Sequence, residues 1–362
     1  MNEKLKILHV LHFGSKNKRN GVIEAVLSLA QAQREAGAEV KVASASYNSS
    51  VPDSDYVAFD SRKSFREILD TFQPDIAHVH DMYWLEMPMV AKSLKNRQIP
   101  YILTFHGGAS KITNKRHWLK KKVARILIFN YVIRNAQRVV YLTEGEMRNS
   151  IAKRTNPNYL IIPNGILLPT QIAEHQQTTP FTIVFLSRMD FHGKGLDLLE
   201  QAIAQLKDEL AGKVQFRFYG YTYDDTYRVF EQYGDFAKYC GYVSGNDKDK
   251  ILTDSDMMIL PSRSEGMPVS ILEGLAYGLP CIVTPQTNMA DLVTDKHCGW
   301  VCQLSAQSIT DTIRKAVADY ESNGKQLRLN AMAAAEEFSW QNVSKLSLEQ
   351  YRNLLKERTL KL

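Results

Sequence analysis

Cysteine is scarce in this chain: Cys240, Cys281, Cys298 and Cys302 are four among 362 residues, and no two form a C-x-x-C pair. A disulfide framework is thereby excluded, and the thiols are expected to be free or buried small hydrophobes without a metal or redox role. Also missing is any run near the roughly 18 apolar residues that a membrane-spanning helix needs. The opening MNEKLKILHVLHFGSKNKRN has an apolar stretch but no small-residue cleavage site. It reads as a first buried strand, and the chain is expected to be cytoplasmic. Acid is missing from one whole interval: between Glu86 and Glu144 there is no Asp or Glu, against 12 Lys and Arg. No repeat of solenoid period and no low-complexity tract is found.

What is present suits a globular protein of two domains, with 44% apolar and 23% charged residues over a length beyond the usual single core. The first half alternates short β-branched runs (LKILHVLHF, EVKVASA, DIAHVH, PYILTFH, RVVYLT, YLIIPN) with helical stretches such as GVIEAVLSLAQAQREAG. Near-continuous apolar strands are those buried on both faces of a parallel sheet. After IIPNGI, the polar LLPTQIAEHQQTTP reads as a linker. A second series follows: FTIVFLS, LDLLEQAIAQLKDEL, VQFRFYG, CGYV, MMILP, PVSILEGLAYG and PCIVT, then helical stretches over roughly 305–338 and 340–360. The fold class expected is α/β, with two Rossmann-like doubly wound domains facing across a cleft. The boundaries expected are 1–168, a linker at 169–180, 181–340, and a C-terminal helix at 341–362 that returns to the first domain. Charge divides unevenly: residues 1–170 hold 25 Lys and Arg against 14 Asp and Glu, and the remainder 20 against 25.

Several residues carry candidate chemistry. HGKGLDLL follows a strand and opens a helix, but Leu198 stands where a dinucleotide fingerprint needs its third glycine, and no Ser or Thr follows Lys194 as in a P-loop. What remains is a glycine-flanked helix start with two cations, Arg188 and Lys194, suited to a diphosphate or simply solvated. In SRSEGMPVSILEGLAYGLP, Glu265 lies in a loop, Pro268 fits the first turn of a helix, and Glu273 sits inside it. The backbone of Gly266 and Met267 offers amides there. The two carboxylates suit glycosidic acid/base chemistry, contacts to vicinal hydroxyls, or helix-start acids. Glu273, set among apolar neighbours, wants a partner. His106, in TFHGG, ends a strand. His78 and His80 share a strand face, but the spacing shows no third ligand, so no metal is expected.

Arg188 and Lys194 about HGKG, the Glu-x7-Glu of SEGMPVSILEGLAYGLPCIVT, and IIPNGI ahead of the linker together resemble a retaining glycosyltransferase of the GT-B fold, family 4. That resemblance implies a nucleoside diphosphate sugar as co-substrate, with no other cofactor and no metal. It implies Arg188 and Lys194 on the diphosphate, Glu273 on the ribose, and Glu265 with Gly266, Met267 and Pro268 on the donor sugar. His106 would stand beside the transferred sugar, making His106, Arg188, Lys194 and Glu265 the catalytic set. Gly21, Glu144 and Asn164 are expected at the acceptor or cleft. The first loop departs from the family pattern, with Asn20 before a single Gly21 in place of paired glycines, though Gly21 is still expected to let the backbone approach the donor phosphate closely. The reaction implied is transfer to a hydroxyl with retained configuration, by displacement on one face, the leaving diphosphate taking the acceptor proton.

The acid-free stretch suggests the acceptor. Lys115, Arg116, Trp118, Lys120, Lys121 and Lys122 could press on anionic lipid, which places the enzyme peripherally on the inner face of the membrane with a lipid-linked or polysaccharide-precursor glycan as acceptor. A helix with a solvated basic face accounts for the same residues. A sugar-nucleotide epimerase shares the architecture, and a basic nucleic-acid-binding protein fits the charge but leaves Glu-x7-Glu unexplained.

Overall fold

Seven parallel strands form the first sheet: β1 Lys6–Leu11, β2 Glu39–Ser44, β3 Val57–Ala58, β4 Ile76–His80, β5 Tyr101–Thr104, β6 Arg138–Tyr141 and β7 Tyr159–Ile161, in the order β3-β2-β1-β4-β5-β6-β7. The computed structural model describes residues 4–13, 21–47, 51, 52, 54, 56–81, 84–109, 129–170 and 179–360. The basic residues Lys115 to Lys122 lie outside these, as does most of the expected linker. β4 and β5 are buried at every position, so their apolar runs have no solvent face to mark with polar residues. Helix Gly21–Glu35 buries Ile23, Val26, Leu29 and Ala30 at helical spacing, and Gln33 with them. The C-terminal helix Trp340–Thr359 shares that core through Trp340, Val343, Leu348, Tyr351 and Leu354.

A second sheet has β8 Phe181–Leu186, β9 Val214–Tyr219, β10 Ala237–Tyr239, β11 Met257–Leu260, β12 Cys281–Val283 and β13 Gly299–Val301, in the order β10-β9-β8-β11-β12-β13. Both are doubly wound parallel sheets with flanking helices, the fold class expected. Strand order reverses between β1 and β4 in one and between β8 and β11 in the other, and in such sheets ligands gather beyond the strands' carboxyl ends at that reversal. Helix Leu196–Leu210 coincides with the LDLLEQAIAQLKDEL run, while CGYV is not a strand: β10 ends at Tyr239, and Gly241 turns the chain with φ 94°. Cys281, Cys298 and Cys302 are buried and Cys240 is exposed. Burial pushes the Cys298 thiol up to about 11 and Cys302 to about 12, which leaves them unreactive.

The chain divides into Met1–Gly165 with Trp340–Leu362, and Ile166–Ser339. The first boundary falls a few residues before 168 because Ile166 already pairs with Ser339, its amide donating to Phe338 O at 2.8 Å. Gly165 is fixed by packing: a Cβ there would lie 2.3 Å from Trp340 Cε3. The glycine of IIPNGI thus seats the ring that begins the C-terminal helix. Among the described residues no helix is long and apolar enough to cross a membrane.

Candidate functional site

In the second domain the loops after β8 and β11, neighbours at the strand-order reversal, are stitched together. Arg263 Nη1 and Nη2 hold Asp197 Oδ1 and Oδ2 at 2.6 and 2.8 Å, a bidentate pair, while the Arg263 amide donates to Gly193 O at 2.9 Å. Gly195 precedes the helix with φ 71°, and a Cβ on it would stand 2.0 Å from Pro261 O, so only glycine allows the two loops this close. The result brings Lys194 Nζ to 2.6 Å from Glu265 Oε1, with both side chains about 15% exposed. Two residues 71 positions apart, expected on different parts of one ligand, form a single ion pair.

Five amides at this helix start are already taken within the loop. The Gly193 amide donates to Asp190 Oδ1, Lys194 to Asp190 O, Gly195 to His192 O, Asp197 to Phe191 O and Leu198 to Gly195 O. Two cations stand here: exposed Arg188, 3.3 Å from Asp190 Oδ2, and Lys194, whose ammonium spends one of three donors on Glu265.

Glu265 is held from behind. Its amide donates to Gln286 O at 3.0 Å, and Asn288 Nδ2 donates to the Glu265 and Gly266 carbonyls at 2.8 and 3.0 Å. Met267 is buried, and Pro268 caps helix Val269–Ala276 one residue before its first turn, where the sequence suggested it would lie inside. Glu273 finds the partner its apolar neighbours demanded: Lys248 Nζ at 2.7 Å, from helix Gly245–Asp254. Sequence reasoning missed Lys248, Asn288 and Arg263. Of these only Arg263, two residues before Glu265, stood close to a recognisable motif.

In the first domain, His106 closes a turn after β5 with φ 47°, followed by Gly107 at 83°, and the Gly108 amide donates to Phe105 O at 2.9 Å. Two successive positive φ values suit a type I′ turn, and a non-glycine residue held so is strained by about 1–3 kcal/mol. Glu146 secures it: Oε1 accepts from the Gly107 amide and Oε2 from the Leu142 amide, both at 2.7 Å. Burial raises the Glu146 carboxyl above its usual range, the two amides working against that rise. Glu144, the acid expected here, is exposed at the start of helix Glu144–Asn149, while Glu146, its amide held by the Thr143 cap, turns inward. Asn164 is buried and, with Val26, His78, His80, His106 and Trp340, lines a cavity of about 20 Å³, room for about one water. Gly21 opens its helix without a positive φ, and a Cβ there would meet nothing within 4 Å, so the close backbone approach expected of it is not imposed by the described residues.

Beneath His106 lies a row of histidines at the β1/β4 reversal. His80 Nδ1 is 3.2 Å from His106 Nε2, His80 Nε2 is 2.8 Å from His9 Nδ1, and His9 Nε2 is 2.8 Å from Gln33 Oε1. His78 bonds Thr104 Oγ1 at 2.6 Å and Tyr351 OH at 2.7 Å. His9 is the third imidazole that the spacing of His78 and His80 did not reveal, and ring nitrogens of the three lie within 4.8 Å of one another. Every one of those nitrogens already has a hydrogen-bond partner, the arrangement of neutral rings rather than of open ligands. Burial pushes His9 and His106 down to about 4, and His78 and His80 well below their usual value.

Residues 19–168 match the family model Glycosyltransferase Family 4, and residues 180–319 match Glycosyl transferases group 1. The glycogen synthase of Thermodesulfovibrio yellowstonii is 29% identical over 185 residues, 49% of this chain but only 36% of that protein. The putative teichuronic acid biosynthesis glycosyltransferase TuaC of Bacillus subtilis is 26% identical over 301 residues, 76% of this chain and 72% of that one. Among solved structures, Anabaena HepE in complex with UDP and glucose superposes with TM-score 0.71 at 15% identity, over 96% of this chain and 100% of that chain. Both models describe glycosyltransferases, which sets the epimerase reading aside. One glycosyltransferase family model thus matches each domain, and the fold over nearly the whole chain is the two-domain GT-B fold.

Proposed function

We propose that this glycosyltransferase moves a sugar from a nucleoside diphosphate sugar to a hydroxyl of a lipid-linked or polysaccharide-precursor glycan, with retention and without a metal. The observation that carries the donor half is the Lys194–Glu265 pair beside Arg188, held at the carboxyl ends of β8 and β11 by the Arg263–Asp197 fork. Lys194 keeps two ammonium donors for the diphosphate, and Glu265 keeps a second carboxylate oxygen for a sugar hydroxyl. Glu273, its charge balanced by Lys248, accepts from the ribose hydroxyls. As the glycosidic bond breaks, charge grows on the diphosphate, and cations fixed in advance stabilise it by several kcal/mol. That diphosphate takes the proton of the acceptor hydroxyl attacking on the same face, and His106 contributes a hydrogen bond to the sugar. HepE, which binds UDP and glucose, and TuaC, named for teichuronic acid biosynthesis, support the donor and acceptor classes respectively.

Thermal-shift screening of UDP-, GDP- and ADP-sugars identifies the donor, since a ligand at 100 times its dissociation constant adds about 2.7 kcal/mol of stability. Radiolabel transfer then tests the site: Lys194→Ala lowers turnover by orders of magnitude, and near-wild-type turnover would sink the assignment. Peripheral membrane association is part of the proposal. Liposome flotation that ignores anionic lipid, or survives Lys120/Lys121/Lys122→Glu, would remove it.

A further inference from the structure

The proton positions along the histidine row follow one from another, beginning in the C-terminal helix. Ser347 Oγ donates its single proton to Ser344 O at 2.8 Å, leaving only lone pairs for Gln33 Nε2 at 2.9 Å. Gln33 therefore turns its NH2 toward Ser347 and its Oε1 toward His9 Nε2. An amide oxygen only accepts, so His9 carries its proton on Nε2 and leaves Nδ1 bare. His80 Nε2, 2.8 Å from that Nδ1, must be protonated. His80 Nδ1 is then bare, and His106 Nε2 at 3.2 Å must supply the last proton. One reversed ring would set two N–H groups, or two lone pairs, against each other in the buried row.

We propose that Gln33, oriented by Ser347, sets the tautomer of His106 through His9 and His80, so that His106 offers an unprotonated Nδ1 as acceptor to a hydroxyl of the transferred sugar. The sugar-facing half rests on the function proposed above; the proton positions do not. Among the described residues His106 Nδ1 has no hydrogen-bond partner, so the row fixes one nitrogen and leaves the other for a ligand. The low basicity of His9, His80 and His106, imposed by burial, keeps all three rings neutral, the state in which a directional row can exist. His9, Gln33, His80 and Ser347 are positioning residues. Gln33 and Ser347 are 314 positions apart, and their bond is a reason for the C-terminal helix to return to this domain.

The test uses the full chain labelled with 15N in its histidine rings, without substrate, and long-range 1H–15N correlation at neutral pH, which separates protonated from bare ring nitrogens. His9, His80 and His106 are expected as neutral Nε2–H forms, and an Nδ1–H form at any of them overturns the row. In Gln33→Leu the three rings are expected to become tautomer mixtures and kcat to fall about ten-fold, the scale of one neutral hydrogen bond. Gln33→Glu, which keeps an acceptor in place, restores Nε2–H. A folded Gln33→Leu protein with His106 still wholly Nε2–H refutes the control by Gln33. If that variant does not fold, Gln33→Met, similar in shape and likewise without an oxygen acceptor, is read by the same criterion. A tautomer change with unaltered kcat removes the acceptor role of Nδ1. An intact Nε2–H row in a wild-type protein that transfers no sugar overturns the sugar-transfer reading alone.

Discussion

The four neutral histidines of the first domain make its stability depend on acid in a calculable way. Free in an unfolded chain, each takes up a proton near pH 6.5, whereas burial holds His9 and His106 down to about 4 in the fold. Below about pH 6.5 the unfolded state binds more protons than the native state, so stability is full above that value and drains away as pH falls toward about 4. For one ring with these values the loss between about pH 7 and pH 5 is about 2 kcal/mol, and for His9 and His106 together about 4 kcal/mol. His78 and His80, lowered well below their usual value by burial and then by the neighbouring rings, add to this. Glu146 works the other way: its raised carboxyl contributes stability at low pH that is lost as pH rises through its folded value, which offsets part of the effect.

Native-state hydrogen exchange reads this domain by domain, once the intrinsic pH dependence of exchange is removed. Amides of β1 and β4 are expected to lose about 4 kcal/mol of protection between about pH 7 and pH 5, while those of β8 and β11, which carry no histidine, lose far less. Protection on β1 and β4 that holds constant over that range would mean that the rings are already charged in the fold or that the row is open to water. Either outcome refutes the reasoning.

Three substitutions test the supports of the site. Gly195→Ala places a methyl 2.0 Å from Pro261 O at φ 71°, and is expected to cost about 3 kcal/mol or more, lowering the melting temperature of the second domain by roughly 6–12 °C in calorimetry. Arg263→Lys keeps the charge but loses the fork on Asp197, and donor affinity by titration calorimetry should weaken about ten-fold with little change in melting temperature. Glu146→Ala leaves the Gly107 and Leu142 amides without their acceptor, a loss of about 3–5 kcal/mol, and a chemical denaturation midpoint equal to wild type would contradict the role of Glu146 under the His106 turn.

The elements were legible where a single period or terminator fixes them. LDLLEQAIAQLKDEL became the helix Leu196–Leu210, and the buried parallel strands announced themselves because both faces need apolar residues. CGYV misled because its apolar content resembles a strand while Gly241 bends the backbone out of the sheet. At the site, motif residues were visible but their partners were not. Lys248 meets Glu273 from a helix whose sequence, GNDKDKILTD, carries no signature, and Glu146 could not be told from Glu144 without the Thr143 cap that decides which one turns inward. The histidine row shows the cause most plainly. His9 and His80 lie 71 residues apart and Gln33 and Ser347 lie 314 apart, so each looks like an isolated polar residue in an apolar segment. Only the pairing of β1 with β4, which sets His9 opposite His78, and the packing of the last helix onto the first bring them into register. A buried polar residue read from sequence states a demand for a partner. Topology decides which residue meets it, and here it meets four such demands with one line of hydrogen bonds ending at His106.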